Sequence, residues 1–408
     1  MPNTTTPNAL ATLTWTNLAA QSAEQISLAA VPIVAVIALN AGPGEIGALS
    51  TAQTLPFLLL SIPAGMLADR WSRTRLMVAA EVLRALSLFG LLALVLGQAL
   101  SLPLLALLGF VGAAGTVGFS VAAPALVPAL VPKSDLARAN ARLELARSIA
   151  FAAGPAVAGA LVAWAGASIA FACATALSVC AVLWLLRLPG APVLPAAARR
   201  HLLDELREGA GLVWRHPLLK PVMWTAVVWN IAWFVLQAAY VPYAMRHLGL
   251  DAGGVGLTLG CYGAGMLIGA TLAARAARSL PFGAAVLLGP LMSVWAAAAM
   301  LASWWWPHAA WAALSFVLFG AGPLVWTVTT TTLRQTLVPA RVLGQVSAIF
   351  LTVNTGARPL GAALGGVIGA HWGEGACIAL AAVGFVVQAL LITGSPVRVL
   401  RRLPAPAV

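Results

Sequence analysis

Charge is what this chain has least of. Only 8% of its 408 residues are charged, while 61% are hydrophobic; soluble domains carry about a quarter charged residues, so a soluble globular protein is excluded. Lysine is almost absent, with Lys133 and Lys220 alone. Neither closes a G-x-x-x-x-G-K-S/T loop, so the chain has no phosphate-cradling loop with which to draw on ATP. The four cysteines, Cys173, Cys180, Cys261 and Cys377, all fall in apolar stretches without metal-ligand spacing, and no cofactor motif appears. No histidine lies deep in an apolar stretch, and no nucleophile, base and orienter stand together, which argues against an enzyme working within the membrane. No Lys or Arg precedes Arg70. The basic start of a secretory signal is therefore missing, and the first apolar stretch reads as a retained helix.

What fills the chain instead is a series of apolar blocks roughly 20 to 28 residues long, enough at about 1.5 Å per residue to cross a hydrocarbon core of about 30 Å. Twelve are predicted, over 14–39, 46–67, 76–98, 101–130, 143–165, 167–187, 218–245, 254–278, 281–302, 308–336, 342–370 and 372–394. A net charge of +12 raises the alternative of a nucleic-acid binder, and the placement of the charge decides against it. With the N-terminus set inside, 19 of the 23 Lys and Arg fall in loops, tail or adjoining span ends on that side, and only Arg246 falls in a loop opposite. That is the positive-inside pattern of a multi-pass protein in a bacterial cytoplasmic membrane, with both termini cytoplasmic.

The chain also repeats itself. "LVPKSDLARANA" from Leu130 returns as "LVPARVLGQVSA" from Leu337, and at the same offset of 207 residues Gly159 meets Gly366 and Gly166 meets Gly373. A six-span unit is duplicated. The expected organisation is an N-terminal half over 1–187, a cytoplasmic linker over 188–217 and a C-terminal half with a short tail over 218–408. In the linker, "RRHLLDELREGAGLVWRHP" reads as an amphipathic helix at the membrane surface. An all-α protein with two pseudo-symmetric six-helix halves and a cytoplasmic linker resembles the major facilitator superfamily, in which substrate sits near the midplane between the halves.

Two short motifs strengthen that resemblance. "GMLADRWSRTR", from Gly65 to Arg75, is similar to the superfamily's motif A, G-x-L-a-D-r-x-g-r-k/r, between spans 2 and 3. Gly65 would let span 2 approach a neighbour closely, Asp69 would accept hydrogen bonds from a helix N-terminus or pair with Arg, and Arg70 and Arg73 would hold the turn at the headgroups. The resemblance implies a latch that stabilises the outward-open state. Ser72 stands where the pattern has Gly, so the turn is expected to be less tight. In span 5, Gly154-Pro155 followed by Gly159 is similar to a loosened motif C of superfamily exporters; Pro155 would kink the helix and its small neighbours would let it slide against the glycine-rich span 8. The phrases "LVPKSDLARANARLELARSIAFAAGP", "LLDELREGAGLVWRHPLL" and "LRQTLVPARVLGQVSA" resemble the branch of enterobactin-exporter and macrolide-efflux-like transporters. This implies a secondary active exporter of a small amphipathic organic molecule, driven by protons and working as a monomer. The alternative is an importer or facilitator of the same fold.

Ionisable groups inside a span are costly, so the few present are candidates for function. Span 1 carries a polar stripe of Asn17, Gln21, Glu24 and Gln25. Burial disfavours the charged form of Glu24, which suits it to take up and release a proton; the other reading is a buried carboxylate that only pairs with Arg147 or Arg358. Glu81 and Arg84, three apart, are read as a structural pair behind the latch, and Arg147 as a residue that snorkels to the interface. Asn230, Trp233 and Gln237 of span 7, with Asn354 and Arg358 of span 11, complete the expected substrate cavity, although lipid or core packing explains a Trp equally well.

Overall fold

The computed structural model describes residues 7–131, 136–188, 202–339 and 342–404. Among them the chain forms helices α1 (Pro7–Leu39), α2 (Pro43–Arg70), α3 (Arg73–Leu96), α4 (Leu102–Leu130), α5 (Leu136–Ala165), α6 (Ala167–Leu185), α7 (Leu202–Arg215), α8 (Leu219–Arg246), α9 (Ala252–Ser279), α10 (Phe282–Trp305), α11 (Ala309–Leu337) and α12 (Leu343–Thr393), and no strand. Ten stretches among these residues are long and apolar enough to cross a membrane. Each predicted span coincides with a helix, the last two being the arms of α12, which kinks at Gly373. Part of the linker and of both repeated LVP phrases lies outside the described residues.

The kink carries the repeat into the backbone. Gly373 has φ 78° and ψ −176°, and Gly166, between α5 and α6, has φ 84° and ψ 170°. Both conformations lie in a region closed to residues with a Cβ, so glycine is needed at the same place in each copy.

The chain divides into two compact units. Unit 1 comprises residues 1–41, 52–197 and 251–260; unit 2 comprises 42–51, 198–250 and 261–408. In unit 1, α1 packs on α5 and α6 while α3 packs on α4 and α6. Leu13, Met77, Phe119, Leu126 and Leu185 form one buried cluster among these helices. In unit 2, α12 packs on α8, and α10 packs on α11 and α12.

The second half of helix α7 packs into unit 2. Val213 is 1% exposed in a cluster with Met223, Val346 and Phe350, and Gly209 lies against Gln345 and Ile349 of α12. Helix α8 then starts at a side-chain cap, where His216 Nδ1 accepts the amide N–H groups of Leu218 and Leu219. Burial lowers the proton affinity of this histidine and favours the neutral ring that the cap requires. Trp71, Trp164, Trp305, Trp306 and Trp372 stand exposed at or beside helix ends, where amphipathic rings suit the membrane interface.

Candidate functional site

Glu24 sits midway along α1 with its side chain 16% exposed, and its carboxylate lies 3.7 Å from Arg84 Nη2 of α3. Arg147 pairs with Glu144 one turn earlier on α5, at 3.0 Å and 3.1 Å from its Nε, and its guanidinium lies over Phe151.

Arg84 and Glu81 are not a pair at the mouth of the span. Arg84 lies eleven residues into α3, roughly 16 Å along the helix, and the two side chains are 3% and 0% exposed. Nη1 of Arg84 donates to Glu81 at 2.7 Å and to the carbonyl of Ala20 at 3.2 Å; Nη2 donates to Thr116 Oγ1 of α4 at 3.0 Å. The guanidinium also lies over the Phe119 ring. The other Glu81 oxygen accepts from the hydroxyl of Ser178 on α6. Four helices thus close around one cation. Gly115 makes this possible, since a Cβ there would come within 2.4 Å of the Ala80 carbonyl and 3.3 Å of Arg84 Cβ. Thr116 and Ser178 were not legible as part of the site, because α4 also carries Ser120 and α6 also carries Ser168 and Thr175, and nothing in the sequence separates the hydroxyl that reaches the cluster from the others.

The rest of the expected stripe on α1 serves packing. Asn17 is 8% exposed and its Nδ2 donates to the Leu143 carbonyl of α5 at 3.1 Å. Gln25 is 7% exposed and its Cβ stands where a Cβ on Gly154 would be, 2.4 Å away. Both were expected to line the cavity; both instead tie α1 to α5. Gln21 remains half-buried beside Glu24.

Gly154 therefore faces α1 and not the eighth span. The close contact with α9 is made further along α5. A Cβ on Gly159 would meet the Ala252 carbonyl at 2.4 Å and Gly256 Cα at 2.7 Å, and one on Gly256 would meet the Pro155 carbonyl at 2.6 Å. Unit 2 holds the repeat's version of this contact: a Cβ on Gly47 of α2 would lie 2.3 Å from Gly366 Cα. Gly65, expected to serve close approach as well, has no described atom within 4 Å of its Cβ position. Ser72 caps α3 at φ −60° and ψ 124°, a conformation open to any residue, so the turn does not need the missing glycine. Asp69 and Arg70 are placed in the last turn of α2, and Arg73 opens α3.

In unit 2, Trp233 stacks on Trp229 at 5.4 Å and meets Phe319 edge-on at 5.1 Å, which makes it a half-buried member of an aromatic core. Trp229 donates its ring N–H to Ser293. Asn230 turns its amide back to the Ala226 carbonyl, and Gln237 is half-buried. Asn354 Oδ1 is buried and accepts no hydrogen bond among the described residues. Arg358, one turn on, lies over the Phe234 ring at 6.0 Å. No group of three metal-ligating side chains occurs among the described residues.

A membrane-crossing helical fold built from a duplicated unit, with a buried ionisable cluster in its first helices, defines a secondary-transporter architecture. The Major Facilitator Superfamily model matches residues 13–362, and the chain belongs to that superfamily. It is 29% identical to the uncharacterized MFS-type transporter y4rN of Sinorhizobium fredii over 350 residues, 82% of each chain. It is 26% identical to the enterobactin exporter EntS of Citrobacter koseri over 330 residues, 80% of this chain and 77% of that one. The crystal structure of a D-xylose-proton symporter matches with a TM-score of 0.72 over 94% of this chain and 96% of that one; at 16% identity this is a likeness of fold alone.

Proposed function

We propose that this protein is a proton-coupled exporter of a small, weakly polar organic molecule of the drug or siderophore kind. It works as a monomer in a bacterial cytoplasmic membrane, with both termini inside. The observation that carries the proton coupling is Glu24: it is the least buried member of a cluster of two carboxylates and one arginine, and within that cluster it combines partial solvent access with a charge partner. Likeness to an enterobactin exporter along four-fifths of the chain supports outward movement. The half-buried Gln21 beside Glu24, with Gln237, Asn354 and Arg358 in unit 2, supplies sparse polar groups on apolar helices, which suits an amphipathic cargo.

The direction is tested with inverted membrane vesicles carrying an imposed proton gradient. Compounds to load are chosen by comparing resistance and secreted metabolites in cells with and without the protein. Uptake into inverted vesicles against proton flow is expected; movement of the compound together with protons makes the protein a symporter and overturns the reading.

Gly65, Asp69, Arg70 and Arg73 are assigned the latch. Asp69→Asn is expected to leave membrane abundance unchanged and to lower transport about tenfold, the effect of removing about 1.4 kcal/mol from one end state. Wild-type rates at equal abundance would remove the latch from the account.

A further inference from the structure

We infer that the elbow between α7 and α8 holds the headgroup of an anionic phospholipid, with Lys220 and Arg215 on its phosphate and the rings of Trp214 and Trp224 beside the top of its chains. Such a site is independent of the cargo and of the direction in which the cargo moves.

Lys220 is one of only two lysines in the chain, and it stands in the first turn of α8. That is the unfavourable end of a helix for a cation, because the amide dipoles there already present positive charge. No acidic residue occurs in that turn to offset it. The backbone donors are engaged: the amides of Leu218 and Leu219 reach His216 Nδ1, and that of Lys220 reaches the His216 carbonyl at 3.1 Å. Arg215, in the last turn of α7, adds a second exposed cation. Neither cation forms an ion pair among the described residues. The carboxylates of α7, on Asp204, Glu205 and Glu208, come seven or more residues before Arg215, roughly 10 Å or more along the helix. Two cations and a positive helix end thus meet without a counter-charge, and an anion from outside the chain supplies one.

The surrounding rings select the kind of anion. Lys220 Nζ lies over the Trp214 ring at 5.3 Å, which steadies the ammonium and leaves its outer donors to a ligand. Trp214 meets Trp224 edge-on at 5.8 Å. Both indoles are exposed, at 55% and 38%, an arrangement suited to the membrane interface. The membrane-crossing stretch of α8 begins at Leu219, so Lys220 stands at the headgroup level. Trp224, four residues on along the same face, lies about 6 Å deeper. Charge at the surface and an apolar ring one turn below match a phospholipid, anionic at its phosphate and apolar in its chains. A soluble phosphate would use the cations and leave the deeper ring bare. A zwitterionic headgroup would bring its own ammonium against Lys220 and Arg215, so a headgroup of net negative charge, as in phosphatidylglycerol, is the one that fits. Val213, next to Trp214, is buried against Met223, Val346 and Phe350. The lipid therefore sits where the linker is fastened to α8 and α12.

The full-length protein is placed in nanodiscs of phosphatidylcholine and phosphatidylglycerol, the latter brominated high in its acyl chains so that it quenches nearby indoles. The chain has 15 tryptophans, so the contribution of Trp214 and Trp224 is taken as the difference from Trp214→Phe/Trp224→Phe in the same background. Its dependence on lipid composition gives the preference for phosphatidylglycerol at the elbow. That preference is expected to be about 30-fold, the factor set by two cations at the membrane surface. Lys220→Gln combined with Arg215→Gln is expected to lower it to about one, and Lys220→Arg to keep most of it. Arg401→Gln combined with Arg402→Gln removes the same charge from the exposed tail and is expected to leave it unchanged.

A wild-type preference near one overturns the site, as does a preference that survives loss of Lys220 and Arg215. An equal fall in the tail variant shows a diffuse field over the whole surface and overturns the site as well. Relief of the quenching by soluble glycerol phosphate shows that the elbow takes an anion from solution and overturns the lipid as its occupant.

Discussion

Vesicles carrying Glu24→Gln are expected to lose proton-driven accumulation entirely while still exchanging substrate down its own gradient. Glutamine keeps the size of the side chain and can still donate to and accept from its neighbours, but it fixes the position as neutral. If one net charge moves per cycle, the membrane supplies about 2.3 kcal/mol per 100 mV. At about 150 mV that sustains a gradient of roughly 300-fold, since each factor of ten needs about 1.4 kcal/mol. A carrier without a group that changes protonation between its end states can hold no part of that gradient, so the ratio inside to outside should fall to about one. The loss is specific to driving. The equilibrium exchange rate tests whether the substituted protein still folds, binds and turns over. Accumulation that persists in Glu24→Gln and collapses with uncoupler would place the coupling proton on another residue.

The position of Glu24 was legible because a carboxylate within an apolar helix is conspicuous at any register. Its partner was not. Glu81 and Arg84 are three residues apart, the spacing of an ordinary surface pair on a helix, and nothing local says whether such a pair faces lipid headgroups or a neighbouring helix. That depends on the depth at which α3 packs on α1 and on the close approach of α4 at Gly115, both properties of tertiary packing. Asn17 and Gln25 show the same limit. A polar stripe on α1 marks one face, but the sequence does not say that this face meets α5 at Asn17 and Gln25 and water only near Glu24.

The spans themselves were legible to within a few residues, since membrane thickness acts on about twenty residues at a time and hydropathy reads on that scale. The repeat was legible for a different reason. Gly166 and Gly373 occupy a backbone region closed to other residues, so their identity in both copies follows from geometry. Ser72 marks the opposite case: the motif raised an expectation about glycine there that the local backbone does not require.

The second large effect concerns Gly159. Gly154 and Gly159 read as one motif along the chain, but five residues at about 100° each leave them roughly 140° apart around α5. The structure separates them accordingly: Gly154 meets Gln25 of α1, and Gly159 meets Ala252 and Gly256 of α9. Leucine at either position adds four carbons to a space in which even a Cβ would come within 2.4 Å of a neighbouring atom. At Gly154 the obstructed contact is between two helices packed along much of their length, so Gly154→Leu is expected to lower the amount of folded protein in the membrane. At Gly159 the obstructed contact joins α5 to the first turns of α9, where backbone meets backbone through glycine alone. If the alternating cycle forms and parts this contact, Gly159→Leu penalises the joined arrangement by about 1 to 3 kcal/mol. That is a population change of roughly 5- to 150-fold and a comparable loss of transport at normal abundance. Gly256→Leu, on the facing surface, is expected to do the same, and the pair combined should cost little more than either alone, because both obstruct one contact. Transport at the wild-type rate by Gly159→Leu, or a fall in abundance that matches the fall in transport, would show that α5 and α9 do not part during the cycle.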